Sequence, residues 1–197
     1  ILSIMKAQHP HVRTIAVDQR WHGRSSKASP NHTVSLLGSD ITEFISLVIG
    51  VNEKLVAVGT SLGAAVLWSI LSSNNSSSLL AGAAFVDQSP CQWQLPDWTD
   101  GHSKGIYDDL SLKNVQDALS DMSSFADGNE ECCTTHKLPA DVSETLKEET
   151  MLCNGDDLSK LMDDHARIDW RSRLDTIKIK CVNYLGDDSG CFPVAGT

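Results

Sequence analysis

The stretch that most constrains the fold of this chain is a strand-like run that turns at once into a helix-like run. Residues 55–58 are apolar and rich in valine, residues 62–71 are rich in alanine and leucine, and a Gly-Thr-Ser-Leu-Gly string joins them. The pattern predicts a strand, a sharp turn and a helix, with Ser61 at the apex. Because such a turn brings strand and helix close together, we expect Gly59 and Gly63 to be required for their lack of a side chain.

The predicted turn presents one nucleophilic hydroxyl. Ser61 would stand above the end of its strand, within reach of a substrate carbonyl. The backbone N–H of Leu62 lies in the first turn of the predicted helix, where an N–H has no carbonyl partner within the helix and favours negative charge. The pattern therefore predicts Ser61 as a nucleophile and Leu62 as a donor to an oxyanion. A glycine-rich turn without a catalytic role is the alternative interpretation.

Other segments repeat this alternation of strand and helix. Pro10 ends one helix-like segment, and Gly50 closes another that has apolar residues at helical spacing. The strand-like runs are continuously apolar, which is typical of parallel strands buried between helices. The sequence therefore predicts an α/β fold with a mostly parallel sheet flanked by helices. We expect further helices over residues 1–8 and 36–48, a short buried strand over 14–17, strands over 81–86 and 177–185, and a polar loop over 74–78.

The alternation stops at Pro90, where a different pattern begins. Residues 91–170 contain no strand-like run and carry eighteen acidic and six basic residues, whereas the rest of the chain carries eight and ten. We expect an acidic helical cap over 91–170, inserted into a core made of residues 1–90 and 171–197. Three cap helices are predicted. The second opens with a capping box from Asp141 to Glu144. The first and third are indicated by residues at helical spacing: Leu112, Val115, Leu119 and Met122 for the first, and Leu158, Leu161, Met162 and His165 for the third.

Composition limits the partners that the chain can have. The net charge of -10 and the isoelectric point near 5.0 disfavour nucleic acid as a partner. No apolar run reaches the length needed to cross a bilayer. The six cysteines lack a Cys-x-x-Cys pair and have no ligand-like spacing with the seven histidines. We therefore expect neither a metal nor another cofactor.

Cysteine usage and the ends of the chain bear on its location. Buried or free thiols in a reducing compartment are the commoner case, which favours the cytoplasm over secretion. The alternative is that Cys132 and Cys133 pair with other chains or partners. The chain begins at Ile1 rather than at a methionine and ends shortly after a predicted turn, so it reads as an internal piece of a longer protein. Neither targeting nor oligomeric state can be predicted from it.

Three motifs together resemble those of the α/β-hydrolase family with a helical cap. The Asp-x-Arg-x-His-Gly-x-Ser string over residues 18–25 is similar to the loop before the nucleophile strand of that family, with Trp21 in a place usually held by glycine. Residues 59–63 resemble its nucleophile elbow, and residues 186–193 resemble the turn that follows the strand after the cap. The resemblance covers nearly the whole chain and implies a hydrolase with a Ser–acid–His triad.

The acid of the implied triad has more than one candidate. The family usually carries Gly-x-x-Asp in the turn after the cap, but the matching position here is Ser189, which cannot hold an imidazolium by charge. Asp87 ends the strand after the elbow helix, and some family members place the acid there. Since parallel strands end at the same edge of a sheet, Asp87 would lie near Ser61. If the turn is shifted, Asp187 or Asp188 is the acid, and in a third interpretation Asp87 is only a capping residue.

The resemblance places the catalytic histidine after the last strand and the second oxyanion donor before Ile1, so both are expected outside this chain. None of the seven histidines follows Asp187. His22 is expected to bond the backbone and is a weak candidate for the base, whereas His102 is a candidate to overhang the site. His9, His11 and His32 are expected to be solvated, and His136 to lie in a cap loop. His165 is expected on a cap helix, with a position lining the pocket as the alternative.

The resulting hypothesis is a serine hydrolase that cleaves a carboxylic ester or a lactone through an acyl-enzyme. A serine at the elbow disfavours the dehalogenase and epoxide-hydrolase branches of the fold, which need a carboxylate nucleophile. The acidic cap would repel anions, so a small neutral or apolar ester is the expected substrate. Its acyl pocket would be walled by Trp93, Leu95, Trp98, Ile106 and Tyr107, unless these side chains are only the core of the cap.

Two other classes of function stay open. A non-catalytic protein that binds a small ligand or takes part in signalling can share this scaffold, and serine at position 189 favours that interpretation. An inactive fragment is the other class, suggested by the abrupt ends of the chain. A fluorophosphonate probe that labels activated serines separates the enzyme from both.

Overall fold

The computed structural model describes residues 2–50, 52–73, 79–99 and 101–197. The strands are β1 (Val56–Thr60), β2 (Gly82–Val86) and β3 (Lys180–Tyr184). The helices are α1 (Leu2–Gln8), α2 (Val34–Phe44), α3 (Leu62–Leu71), α4 (Asp109–Leu119), α5 (Met122–Cys133), α6 (Ala140–Thr150), α7 (Gly155–Arg167) and α8 (Arg171–Leu174). A π-helical turn, Ile45–Ile49, extends α2, and a 3-10 turn, Val194–Gly196, follows β3. The loop predicted over 74–78 lies outside the described residues.

The three strands form one parallel sheet in the order β1-β2-β3. Gly59 of β1 pairs with Phe85 of β2, and Phe85 pairs with Asn183 of β3. Helix α3 connects β1 to β2, whereas α4 to α8 lie between β2 and β3 in the chain. The strands therefore run in one direction and end at one edge of the sheet, as the α/β prediction requires.

Helix α3 is the centre of the core. It packs against β1 and β2, and α2 packs against it in turn. Trp68, at its middle, lies 5.5 Å from Phe85 and 6.4 Å from Trp170 between ring centroids. Gly38 of α2 comes so close that an added Cβ would lie 2.9 Å from the Ser69 hydroxyl oxygen. A helix buried on this many sides is apolar nearly all round, and it anchors the turn that precedes it.

One predicted strand, residues 14–17, is not part of the described sheet. Val56 and Val58 of β1 are 71% and 69% exposed, on the side of the strand away from α3. Residues 14–17, predicted as a short buried strand, form no strand, and Ile15 and Val17 are exposed. The prediction is wrong because an apolar run becomes a strand only where a neighbour completes its hydrogen bonds, and no described strand pairs with this segment.

Four helices, α4 to α7, fold together between β2 and β3. Helix α4 packs against α7, and α5 packs against α6. The last predicted helix is confirmed as α7, but Met122 does not belong to the first one. Helix α4 ends at Leu119 and α5 begins at Met122, because the Asp121 carboxylate accepts the N–H groups of Ser123 and Ser124 and so caps a new helix.

The capping box predicted from Asp141 to Glu144 does not form. Helix α6 begins at Ala140, directly after Pro139, and Asp141 lies within its first turn. Proline suits this position because the first N–H groups of a helix have no partner within the helix to lose. The capping box in this part of the chain opens α4 instead, at Asp108.

Two segments connect the sheet with helices α4 to α7, and they lie side by side. Cys91, on the way out, forms an antiparallel bridge with Asp169, on the way back. A segment that leaves and returns at one place is the usual form of an inserted unit. We therefore propose that residues 91–170 form a cap and that residues 1–90 and 171–197 form the core.

Candidate active site

Ser61 adopts a backbone conformation that few residues other than glycine tolerate. Its φ of 50° and ψ of −121° lie outside the regions favoured by L-residues. The turn is held on both sides, because the Ser61 N–H donates to the Val86 carbonyl at 2.9 Å and the Ser61 carbonyl accepts the Ala64 N–H at 2.8 Å. Ser61 is exposed. A strained, exposed serine between β1 and α3 agrees with the sharp turn that the sequence predicts.

The two glycines that flank Ser61 differ in their surroundings. A Cβ added to Gly59 would lie 2.3 Å from the Gly63 carbonyl oxygen, so β1 and α3 approach each other too closely for any side chain at that position. A Cβ added to Gly63 would have nothing within 4 Å. The predicted requirement therefore holds for Gly59 and is wrong for Gly63, because a side chain on this turn of the helix points into open space.

Leu62 is the first residue of α3. The first N–H groups of a helix have no carbonyl partner within the helix, and the helix dipole adds partial positive charge at this end. The Leu62 N–H follows Ser61 directly in the chain. It can therefore stabilise negative charge on an oxygen bound beside the Ser61 hydroxyl.

Asp87 lies at the end of β2, next to the end of β1. The last residue pair of the two strands is Thr60 with Val86, and Ser61 and Asp87 each follow directly after it. Asp87 also has a positive φ, of 49°, and its N–H donates to the Tyr184 carbonyl at 2.8 Å. The structure thus brings the predicted nucleophile and one predicted acid to neighbouring positions on one edge.

The two carboxylate oxygens of Asp87 have different environments. Oδ2 accepts a hydrogen bond from the Ser189 hydroxyl at 2.9 Å. Oδ1 is buried and has no hydrogen-bond partner among the described residues. A buried carboxylate oxygen without a donor is costly, so Oδ1 is an acceptor ready for an incoming N–H or O–H group.

Ser189 is held by its own turn. Its hydroxyl oxygen accepts the N–H of Phe192 at 3.1 Å and the N–H of Cys191 at 3.4 Å, and its own N–H donates to the Gly186 carbonyl at 3.2 Å. Two donors aimed at the hydroxyl oxygen leave its proton free to point at Asp87. The serine that replaces the expected acid is therefore a fixed donor to the other acid candidate.

Asp187 and Asp188 occupy the same turn but are both exposed. Asp87, in contrast, is half-buried and is tied to the turn through Ser189. Of the three acid candidates, Asp87 is therefore the one that follows the strand end beside Ser61 and accepts a hydrogen bond from Ser189.

Gln88 is a site residue that sequence reasoning missed. It is 1% exposed, and its Oε1 lies 3.4 Å from the Ser61 hydroxyl oxygen. Its Nε2 donates to the Ser89 carbonyl at 3.0 Å, which turns Oε1 towards the serine. The available signal was a polar residue directly after a strand end, beside the candidate acid.

None of the seven histidines, all of which are described, hydrogen-bonds to Ser61 or Asp87. His22 has its Nδ1 at 2.9 Å from the Arg20 carbonyl, which confirms the expected backbone contact, and burial lowers its pKa. His102 stacks on the Trp98 ring at 4.4 Å. The structure therefore supplies no base for Ser61 from the part of the chain that it describes.

Two other histidines are more buried than expected. His32 was predicted to be solvated, but its side chain is 7% exposed and its Nε2 lies 2.7 Å from Asp157 Oδ1, so that prediction is wrong. His165 lies on α7 as predicted and is 4% exposed, and burial lowers its pKa to about 4. The remaining three are exposed: His9, His11 and His136.

The candidate pocket residues Trp93 and Trp98 are both half-buried, and each has a guanidinium group over its ring. The Arg167 guanidinium lies 4.3 Å from the Trp93 ring and that of Arg171 lies 4.9 Å from the Trp98 ring. The Trp98 N–H also donates to the Cys91 carbonyl at 2.7 Å. These contacts fix the segment that follows Asp87 in the chain.

The described cavities lie away from this edge. One of about 460 Å³ lies between α7 and the loop before α2, and one of about 210 Å³ lies between residues 17–26 and α2. Neither is lined by Ser61 or Asp87.

Within the described ranges, no group of three or more His, Cys, Asp or Glu side chains is placed to hold a metal ion. No described helix combines the length and the apolar character needed to span a membrane. Burial raises the pKa of the Cys91 thiol to about 11, which leaves it unreactive. The alternative that Cys132 and Cys133 pair with other chains or partners concerns side chains outside the described part.

The parallel sheet, the sharp turn at Ser61 and the helices inserted before β3 together have the architecture of an α/β hydrolase. The sequence profile of the alpha/beta hydrolase family matches residues 3–189. The chain therefore belongs to the alpha/beta hydrolase family. No curated protein matches it in sequence.

Solved structures of hydrolases resemble the chain in fold. An esterase from Exiguobacterium antarcticum has a TM-score of 0.82 at 18% sequence identity, over 98% of this chain and 72% of that one. A bromoperoxidase from Bacillus anthracis has a TM-score of 0.74 at 13% identity, over 86% and 61%. An enol-lactonase from Burkholderia xenovorans LB400 has a TM-score of 0.63 at 13% identity, over 84% and 58%. The chain thus spans less than two thirds of the length of the last two, and at these identities the similarity shows the fold alone.

Proposed function

We propose that this hydrolase is a serine esterase that cleaves a carboxylic ester or a lactone, with Ser61 as nucleophile and Asp87 as the acid of a Ser–His–Asp triad. The observation that carries the proposal is the pairing of an exposed, strained Ser61 with an Asp87 whose Oδ1 is buried and unpartnered, at the ends of adjacent strands. The base of this proposal is a histidine other than the seven of this chain.

The chemistry follows from the placement of these groups. The imidazole takes the Ser61 proton while the hydroxyl oxygen bonds to the carbonyl carbon, and the carbonyl oxygen becomes an oxyanion that the Leu62 N–H stabilises. The imidazolium then gives its proton to the leaving alcohol as the ester bond breaks. Water, activated by the same imidazole, releases the acyl group. Asp87 Oδ1 accepts the other imidazole N–H and stabilises the imidazolium by its charge.

Asp87 is preferred over Asp187 and Asp188 for a physical reason. A triad acid must be fixed and partly removed from water, so that its charge acts on one imidazole tautomer. Asp87 is held by Ser189 and by its own strand end, whereas the other two are exposed. Serine at position 189 then does not count against catalysis, since its hydroxyl orients the acid of the neighbouring strand.

The proposed substrate is a small neutral or apolar ester. The acidic cap disfavours anions near the site, and Trp93 and Trp98, both half-buried just after Asp87 in the chain, are the proposed apolar wall of the pocket. The structural neighbours include an esterase and an enol-lactonase, which supports this class of bond. Cys91, Cys153 and Cys181 carry free thiols, in keeping with a proposed cytoplasmic location.

A fluorophosphonate probe tests the proposal. It reacts only with a serine whose hydroxyl is activated, so the full-length protein is expected to be labelled at Ser61, as read by mass spectrometry of the peptides. Ser61→Ala should abolish labelling, while Ser39→Ala, a change of an exposed serine on α2, should leave it intact. Folded protein that takes up no label would favour the alternative, a non-catalytic binding protein on this scaffold.

A further inference from the structure

A short segment of the proposed cap lies against the turn after β3. It consists of residues 101–105 and is here named the cap arm. The Lys104 N–H donates to the Cys191 carbonyl at 2.9 Å, and Ser103, next to Lys104, is fully buried. A backbone hydrogen bond therefore joins the arm, which precedes β3 in the chain, to the turn that follows β3.

Two glycines allow this close approach. A Cβ added to Gly196, in the 3-10 turn after β3, would overlap the His102 carbonyl group, and a Cβ added to Gly105 would lie 3.3 Å from the Cys191 Cβ. Neither glycine has a positive φ, so the contact, rather than the backbone conformation, is what disfavours a side chain there. Side chains at these two positions would push the arm and the turn apart.

The arm is also held on the side of the cap. The His102 ring stacks on the Trp98 ring, with the planes 26° apart, and the His102 N–H donates to the Thr99 carbonyl at 2.8 Å. The Trp98 N–H is itself bound to the Cys91 carbonyl, at the base of the proposed cap. The arm therefore connects the base of the cap with the turn after β3.

The hydrogen bond from Lys104 orients a peptide group that acts on Ser189. The carbonyl of Cys191 and the N–H of Phe192 belong to one planar peptide group, so they cannot turn independently. The carbonyl accepts the Lys104 N–H, and the N–H donates to the Ser189 hydroxyl oxygen at 3.1 Å. The arm thus fixes the direction of a donor that leaves the Ser189 proton free to point at Asp87.

We propose that the cap arm positions the acid of the triad. Lys104 holds the peptide group after Cys191, and this peptide group holds Ser189. The Ser189 hydroxyl in turn holds the Asp87 carboxylate at 2.9 Å. The inference rests on the proposed role of Asp87 as the acid. Lys104 and Ser189 are positioning residues, since they act through Asp87, and the cap takes part in catalysis besides shaping the pocket.

Loosening the arm should weaken catalysis in a characteristic way. An Asp87 carboxylate that turns away from the imidazole stabilises the imidazolium less, which lowers the pKa of the base. The interaction is needed in the transition state and not for binding the ester. The value of kcat should therefore fall while KM stays unchanged.

Steady-state hydrolysis of para-nitrophenyl acetate by the full-length protein tests the proposal. Gly196→Ala should lower kcat about tenfold, the order expected for a hydrogen bond to a charged group, and should move the acid limb of the kcat/KM profile about half a unit to lower pH. Gly105→Ala should act in the same direction and more weakly. Gly101→Ala adds the same methyl group to the same arm, with no described atom within 4 Å, and should match the parent.

A double-variant cycle separates positioning through Ser189 from a general loss of structure. Ser189→Ala removes the hydroxyl, so Gly196→Ala should then have little further effect on kcat, and the two losses should not add. If Gly196→Ala does not fold, Gly105→Ala takes its place in the cycle. Losses that multiply would overturn the proposal, because the arm would then act by another route. So would a folded Gly196→Ala protein with the kcat and the pH profile of the parent.

The same experiments distinguish this inference from the proposed function. A parent protein that neither hydrolyses the ester nor takes up a fluorophosphonate at Ser61 would overturn both. An active parent in which Ser189→Ala leaves kcat unchanged would overturn the inference alone, because Asp87 would then not need the hydroxyl.

Discussion

Ser189 donates a hydrogen bond to Asp87 over 2.9 Å, although the two residues lie 102 positions apart in the chain. A second aspartate at position 189 would set two carboxylates against each other, and one of them would hold its proton to a higher pH. With a hydroxyl there, Asp87 instead receives a hydrogen bond that fixes the orientation of its carboxylate. This relationship is what makes Asp87 the better-supported acid of the proposed triad.

Asp87→Asn should lower kcat of the full-length protein about a thousandfold or more. The amide keeps the shape of the side chain but removes the charge that stabilises the imidazolium and favours the wrong tautomer. Steady-state hydrolysis of para-nitrophenyl acetate measures this. Asp187→Asn and Asp188→Asn are the matched controls and should stay within about threefold of the parent, since both residues are exposed. The reverse result would mean that the acid is Asp187 or Asp188, in the turn after β3.

Ser189→Asp should shift the acid limb of the kcat/KM profile to higher pH, by about one unit or more. The new carboxylate would lie against Asp87, and two carboxylates in contact share a proton to a higher pH than a lone carboxylate does. Ser189→Thr, which keeps the hydroxyl, should retain the parent profile. A pH profile measured between pH 4 and 9 separates the two. An unchanged profile in the aspartate variant would mean that the Ser189 contact does not reach the base.

Gly59→Ala should destabilise the fold by about 3 kcal/mol or more, because the added Cβ would meet the Gly63 carbonyl oxygen at 2.3 Å and neither backbone can move freely. Gly63→Ala adds the same methyl group in open space on a helix and should be neutral or stabilising by up to about 1 kcal/mol. Urea unfolding of both variants gives the difference in the free energy of unfolding. Equal effects would contradict the close approach of β1 and α3.

The stability of the protein should fall as the pH drops from about 6.5 towards 4, in part because of His165. Burial lowers the pKa of this residue to about 4, below its ordinary value of 6.5, so the folded state favours the neutral ring. The contribution is complete above pH 6.5 and is lost as the unfolded state takes up the proton, to a limit of about 3 kcal/mol.

Urea unfolding at pH 7.0, 5.5 and 4.5 measures this dependence. His165→Gln cannot titrate and should show a flatter dependence, whereas the exposed His9→Gln should follow the parent. A His165→Gln protein with the same slope as the parent would place the acid sensitivity elsewhere.

Local sequence patterns predicted the elements that depend mainly on their own residues. The turn from β1 through Ser61 to α3 was predicted to within a residue or two, because valine-rich and alanine-rich runs on either side of a glycine pair leave few alternatives. The break between α4 and α5 was missed because the apolar spacing of Leu119 and Met122 continues across it. There the carboxylate of Asp121 decides where a new helix begins.

Features that depend on distant residues escaped prediction. The segment 14–17 has the composition of a strand, but composition does not supply a neighbouring strand. His32 looked solvated because its partner, Asp157, lies 125 positions further along the chain. The position of Ser189 against Asp87 could likewise be seen only once β2 and β3 were known to be adjacent. The sequence named the candidates for the site, and the pairing of strands showed which of them lie close together.

The pairing of Gly82 with Lys180 also has a consequence for how the protein is made. Strand β3 is adjacent to β2 in space, yet it is synthesised only after all four helices of the proposed cap. Such a long loop is costly to close, and contacts between remote parts of a chain form slowly. Until β3 arrives, one edge of β2 stays open on the nascent polypeptide, so the chain is prone to aggregate during this interval.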